Sequence, residues 1–167
     1  SADKLYQSAV ELYKSGEDTT KLEYANLLIT YGTFLRRKLQ QQEKALFYYD
    51  KAYAIQVNWL DLDGLEIAKN LVYRGMCNLN LGNEAVAEVL LEKGLALRIK
   101  HLGKDSPQAA NVYFTLATLY LSQSRFQKAL RYRMRTWEIY QANDLDKSPN
   151  GIMILEGIAA IYSMIET

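Results

Sequence analysis

Apolar residues recur along this chain at three- and four-residue steps, and two such stretches joined by a short polar turn make a unit that repeats. In the clearest copy, Val112, Leu116, Leu119 and Tyr120 fall on one helical face. Ser122, Gln123, Ser124 and Arg125 interrupt the pattern, and Phe126, Ala129, Leu130, Trp137 and Ile139 resume it. No segment alternates apolar and polar positions between turn pairs, as a half-buried strand would. The pattern predicts eight helices, near 2–15, 21–39, 41–57, 64–81, 84–101, 107–122, 126–142 and 149–165. The short links between them make successive helices antiparallel.

The period is 42 residues. Ala45, Ala87 and Ala129 are spaced by it, as are Gly75, Ala117 and Ala159, and Pro107 and Pro149 each open an apolar helix. Gly32 stands 43 residues before Gly75, which implies one extra residue near Gln40-Gln41-Gln42. Small side chains at a fixed register have a physical use. Helix axes approach to about 8 Å only where the crossing side chains are small. Gly75 with Ala87 and Ala117 with Ala129 are the expected crossings. The order expected within one domain is a half-repeat at 1–15, repeats at 21–62, 64–105 and 107–147, and a half-repeat at 149–167. Ala2, Tyr6, Ala9 and Leu12 match Ala45, Tyr49, Ala52 and Ile55, so the first half is a second helix. The apolar end around Ile161, Met164 and Ile165 is unlike a polar cap. It reads as the edge of a fragment of a longer array, or as a face that pairs with another chain.

Within the period, Leu71, Gly75, Gly82 and Ala87 keep the spacing Leu-x3-Gly-x6-Gly-x4-Ala, and Leu116 to Tyr120 followed by Phe126 to Ala129 echo it. The joint Leu102-Gly103-Lys104-Asp105-Ser106-Pro107 suits a helix stop and restart. Gly103 can turn left-handed, Asp105 or Ser106 can cap, and Pro107 fits a first turn. Together these features resemble tetratricopeptide repeats of the kinesin-light-chain type. The resemblance implies an all-α, right-handed superhelical solenoid of antiparallel helix pairs. It further implies a concave groove, lined by the first helix of each repeat, that receives a peptide or a partner helix. The paired asparagines usual before the Leu-Ala of that family's first helix are absent. Val72-Tyr73 and Val112-Tyr113-Phe114-Thr115 stand in those places.

Register relative to the small-residue column nominates the groove positions. They are Asn26, Ile29, Thr33, Arg36 and Arg37 in the first repeat, and Lys69, Val72, Met76 and Asn80 in the second. In the third they are Asn111, Phe114, Thr118 and Leu121. Asparagine both donates to and accepts from a peptide backbone. Arg36, Arg37 and Lys69 suit carboxylates, and Val72, Met76, Phe114 and Leu121 offer an apolar floor. A segment with acidic and aromatic or leucine side chains is the expected ligand. The structural positions are Gly32, Ala45, Gly75, Gly82, Ala87, Ala117, Ala129 and Ala159.

Composition narrows the chemistry. Nearly balanced charge, +1 overall, supplies no global field for nucleic acid. One Cys and one His cannot form an intrachain disulfide or a four-ligand Cys/His zinc site. Cys77, beside Met76 on an apolar helix, reads as a core thiol; His101 reads as a helix C-terminal cation, and Asp61 and Asp63 as turn residues before Gly64. Gly103-Lys104 lacks the glycine spacing of a phosphate loop. The basic-aromatic run from Arg131 to Trp137 reads as a solvated face with the tryptophan inside. No apolar run nears membrane-spanning length, and the start, Ser1-Ala2-Asp3-Lys4, is unlike a leader. The expectation is an intracellular, cytoplasmic interaction scaffold or adaptor with no enzymatic activity, cofactor, metal or nucleic-acid partner. The alternative is a self-assembly module that stacks through its terminal half-repeats.

Overall fold

The computed structural model describes residues 1–15 and 21–166. Among them the chain forms eight helices and no strand. They are α1 (Ala2–Ser15), α2 (Lys21–Lys38), α3 (Gln42–Gln56), α4 (Leu65–Asn80), α5 (Glu84–Leu102), α6 (Pro107–Ser122), α7 (Phe126–Ala142) and α8 (Pro149–Ile165). No end departs from the periodicity-based expectation by more than one residue. The helices gather into two compact units, Ser1–Ala87 and Glu88–Thr167.

In the first unit α2 packs on α3, α3 on α4, and α1 on α2. Ala25, Leu28, Leu35, Ala45, Tyr49, Ala52 and Cys77 form the core. A close helix crossing is present at Gly32. A Cβ placed there would lie 3.0 Å from the Tyr49 ring and 3.2 Å from the Ala45 carbonyl oxygen. Gly75 and Ala87 are likewise buried. A polar pair is enclosed beside them. The Asn70 amide donates to Gln56 Oε1 at 2.8 Å and to the Tyr49 carbonyl at 3.1 Å. Both side chains are out of water, so the bonds offset their desolvation and tie α4 to α3.

Gln40, Gly82 and Ser124, spaced by the 42-residue period, all turn left-handed, with φ of 53°, 80° and 55°. The following N–H closes each turn. Asn83 donates five residues back to Asn78, and Arg125 five back to Tyr120, but Gln41 donates six back to Leu35. The extra residue of the first repeat therefore lies between Gly32 and Gln40, at the end of a longer α2, rather than within Gln40-Gln41-Gln42.

In the second unit α6 packs on α7 and α7 on α8, with Ala117 and Ala129 fully buried between the first pair. The joint before α6 resolves the choice of cap. Ser106 Oγ accepts from the Ala109 N–H at 3.3 Å, with Gly103 at φ 86° and Pro107 in the first turn. Asp105 instead pairs with Arg135 at 2.5 Å. Ser148 caps α8 in the same way through Gly151 N–H. There the left-handed residue is Asp144, φ 55°, so the copy lacking a glycine still turns. Gly151 touches the Asp146 carbonyl so closely that a Cβ would overlap it.

A charged network joins α5 to α6 and α7. The Tyr120 hydroxyl lies 3.0 Å from Glu88 and 2.8 Å from Glu92, and Tyr132 donates to Glu92 at 3.0 Å. Lys128 reaches Glu88 at 3.3 Å and lies over the Tyr120 ring. Burial pushes the Glu88 carboxyl up, but hydrogen bonds from Tyr120 and Lys128 and the charge of Arg125 outweigh it and hold the group below its usual range. Burial, then the Glu92 charge, pushes the Tyr132 phenol up to about 12. Burial, then a hydrogen bond to Asp3, does the same to Tyr31 in the first unit.

Two substitutions separate steric from conformational strain. Gly151→Ala should lower the thermal midpoint by about 5 °C or more, from a steric cost of about 1–3 kcal/mol. Ser124→Gly should raise it by about 2–4 °C by relieving a left-handed serine. Differential scanning calorimetry on both proteins checks this, and a stabilised Gly151→Ala protein would refute the close contact. The raised phenols also predict an alkaline response. A folded-state pKa above the unfolded value near 10 stabilises the fold fully below that pH, and the stabilisation is lost as pH rises toward about 12. Circular-dichroism melts across that window should show a shallower decline in Tyr132→Phe than in the parent.

Candidate functional site

In the first unit, α1, α2 and α4 enclose an open trough of about 460 Å³. Its longest wall is a pair of columns on α2, spaced one turn apart: Ile29 and Thr30, Thr33 and Phe34, Arg37 and Lys38. Tyr6 enters from α1, and Lys69 and Tyr73 from α4. Tyr6 stacks on Tyr31 and leans on Phe34, each at 5.3 Å between ring centres, so the aromatic wall is anchored in the core. The Thr33 hydroxyl donates to the Ile29 carbonyl at 2.8 Å, and the Tyr49 hydroxyl lies 3.0 Å from Thr33 Oγ1. With its own hydrogen committed to Ile29, Thr33 accepts from Tyr49. The floor is thereby pinned from beneath.

Three cations meet at this trough. Lys69 leans toward Glu66 at 3.5 Å, a loose exposed pair worth little in water. Neither Arg37 nor Lys38 has an ion pair among the described residues. Cationic side chains beside aromatic faces favour an anionic ligand with an apolar body.

Four expected groove residues, Ile29, Thr33, Arg37 and Lys69, line this trough. Others lie elsewhere. Asn26 and Asn80 are exposed, and Met76 is half-buried. Arg36 lies against the Tyr73 ring at 5.6 Å with its Nε buried and unbonded. Val72 is fully buried. Periodicity on the first helices does not reveal Tyr6, Phe34, Lys38 or Tyr73. The signal for Tyr6 lies in the second-helix register, where it aligns with Tyr49; the doublets on α2 carry the signal for Phe34 and Lys38.

In the second unit, Asn111 and Thr118 are exposed on α6, while Phe114 and Leu121 are half-buried. The Phe114 ring carries the Arg133 guanidinium 3.9 Å from its centre. Thus the basic-aromatic run divides. Arg131 is exposed, Arg133 is 6% exposed, and Arg135 is held by Asp105, Glu138 and the Lys104 carbonyl. Trp137 is half-buried rather than fully inside. Ala159 is exposed on α8.

Reactive chemistry finds little support. Cys77 is buried in the first core, and burial pushes its thiol up to about 11, so thiolate is scarce at neutral pH. Among the described residues, no group of three His, Cys, Asp or Glu side chains could hold a metal. Among the described residues no helix is long and apolar enough to cross a membrane.

Comparisons with known proteins agree with this architecture. Residues 66–142 match the tetratricopeptide repeat family. The crystal structure of BtubC (BKLC) from P. vanneervenii superposes with a TM-score of 0.83 at 19% identity, covering 97% of this chain and 64% of that one. Nearly identical TPR-like repeats of a Podosopora anserina kinesin light chain give a TM-score of 0.68 at 19% identity, over 85% of this chain and 64% of that one. MamA gives 0.58 at 14% identity, over 99% and 87%. The chain thus spans less than two thirds, 64%, of the length of the first of these structures. A search of curated proteins by sequence gives no match. Helix pairs repeating every 42 residues, small residues buried where α6 meets α7, and these likenesses lead to one assignment: residues 66–142 are tetratricopeptide repeats, and the chain shares the helix-pair fold of the kinesin-light-chain-like structures it superposes on.

Proposed function

We propose that this chain is a protein-interaction module whose first-unit trough binds an extended peptide or partner helix bearing acidic and aromatic or leucine side chains. The tetratricopeptide fold supports interaction with proteins in general. The specific reading rests on the convergence of Arg37, Lys38 and Lys69 around a floor containing Tyr6, Phe34 and Tyr73. In this reading the repeats are 21–62, 64–105 and 107–147, with half-repeats at 1–15 and 149–167. A buried, unreactive single thiol fits a reducing, intracellular setting.

The test is affinity selection from a displayed library of acidic-aromatic peptides, followed by calorimetric titration of the selected sequence. Arg37→Glu combined with Lys69→Glu should weaken binding by at least about tenfold. Both side chains reach the surface, so melting should change little. Undiminished binding by the double variant would exclude the trough.

A second reading, self-assembly, draws on the apolar residues exposed on α8, where Ile152, Met153 and Leu155 are each about half accessible. Ile161, by contrast, is buried and contributes core rather than surface. Light scattering at rising concentration should show larger species that Leu155→Lys abolishes; a monomer at every concentration would dismiss this reading.

A further inference from the structure

Arg133 occupies a position that the repeat reserves for the core. Counting by the 42-residue period, and by 43 across the longer first repeat, Tyr6, Tyr49, Leu91 and Arg133 share one register on the second helices. Tyr49 and Leu91 are fully buried, and Arg133 is 94% buried. An arginine is rarely so enclosed without an acidic partner, because desolvating a cation costs several kcal/mol. Yet no carboxylate lies within ion-pair distance of it among the described residues. Glu138, on its own helix, pairs with Arg135; Glu156, next to Gly157 on α8, forms no pair with it.

The surroundings make room for the guanidinium without neutralising it. It stacks on Phe114 of α6. On α8 it lies beside Gly157, where a Cβ would approach its Cζ to 3.4 Å. The register of Gly157 holds Tyr73 and Thr115 in earlier copies, so the arginine is accommodated where a side chain is missing. Its Nε is buried and unbonded, whereas the terminal nitrogens are not enclosed in this way, and among the described residues they make no hydrogen bond. Tyr49, in the same register, shows where such a tip goes: its hydroxyl meets Thr33, a residue of the trough.

We infer that Arg133 is a receptor for a carboxylate of a protein partner, bound against Phe114 and Gly157 on the α6/α8 face of the second unit. The inference rests on the reading of the chain as a protein-interaction module, but not on the first-unit trough. A planar guanidinium already fixed by stacking offers two parallel N–H donors to a carboxylate with little further ordering.

The probe is acetyl-Leu-Ala-Glu-Leu-Ala-amide, with its glutamine twin as control, titrated into the isotope-labelled full chain and followed by NMR. The glutamate peptide should move the Arg133 Nε–Hε signal and the Phe114 and Gly157 amides, with a Kd at least about tenfold below that of the glutamine twin. Arg133→Leu, which copies Leu91, and Arg133→Met should lose this discrimination while melting no lower than the parent. The Arg37→Glu, Lys69→Glu protein should keep it, even if the trough reading fails. Equal response to both peptides overturns the proposal. So does an equal response to inorganic phosphate at matched ionic strength, which would mark a site for any small anion. A melting loss of more than about 5 °C in both Arg133 variants would identify the guanidinium as a packing element and would also overturn it.

Discussion

At Gly32 there is no room for even a methyl group to sit at ease. The Tyr49 ring and the Ala45 carbonyl stand at 3.0 and 3.2 Å from where its carbon would be. Most of what is distinctive in this chain follows from contacts of that kind. When two antiparallel helices press backbone to backbone, large side chains on either side of the crossing are driven into register with one another. Ala117 and Ala129 fill the corresponding positions in α6 and α7, without any accessible surface. Such contacts fix which faces remain for ligands, since a helix held this tightly on one side has only the other to offer.

The position four residues beyond the crossing alanine is the next consequence. Tyrosine, leucine and arginine all occupy it in this chain, and the tyrosine and the arginine meet different surroundings. Tyr49 supports Thr33 with a hydroxyl and leaves a neutral floor under a basic trough. Arg133 brings an uncompensated cation to the same register and meets a phenylalanine and a glycine instead. Burial pushes that guanidinium below its usual value, and among the described residues no carboxylate pairs with it. A repeat can thus keep its backbone and change its ligand chemistry through one core residue.

The fold was legible because its determinants are local or periodic. Apolar spacing gave the helices, and the 42-residue recurrence of small residues gave their pairing. Gly103, Ser106 and Pro107 marked a joint from residue chemistry. Register gave only part of the site. Ile29, Thr33, Arg37 and Lys69 line the trough, but so does Tyr6 from α1, and Tyr73 rather than Val72 lines it from α4. A one-residue step turns a helical side chain by about 100°. Counting from a crossing therefore finds the correct helix more readily than the correct edge of it.

Sequence by itself determined the helix boundaries, the 42-residue recurrence and the lack of enough histidines and cysteines for a zinc set, since each depends on neighbours along the chain or on composition. Tertiary structure decided the charge environment of each arginine. Arg131, Arg133 and Arg135 are alternate residues of one run, yet one is solvated, one is enclosed without a counter-ion and one is clasped by two carboxylates. Their difference arises because burial and ion pairing depend on side chains from α6, α8 and the loop at Asp105, whose approach no local pattern encodes.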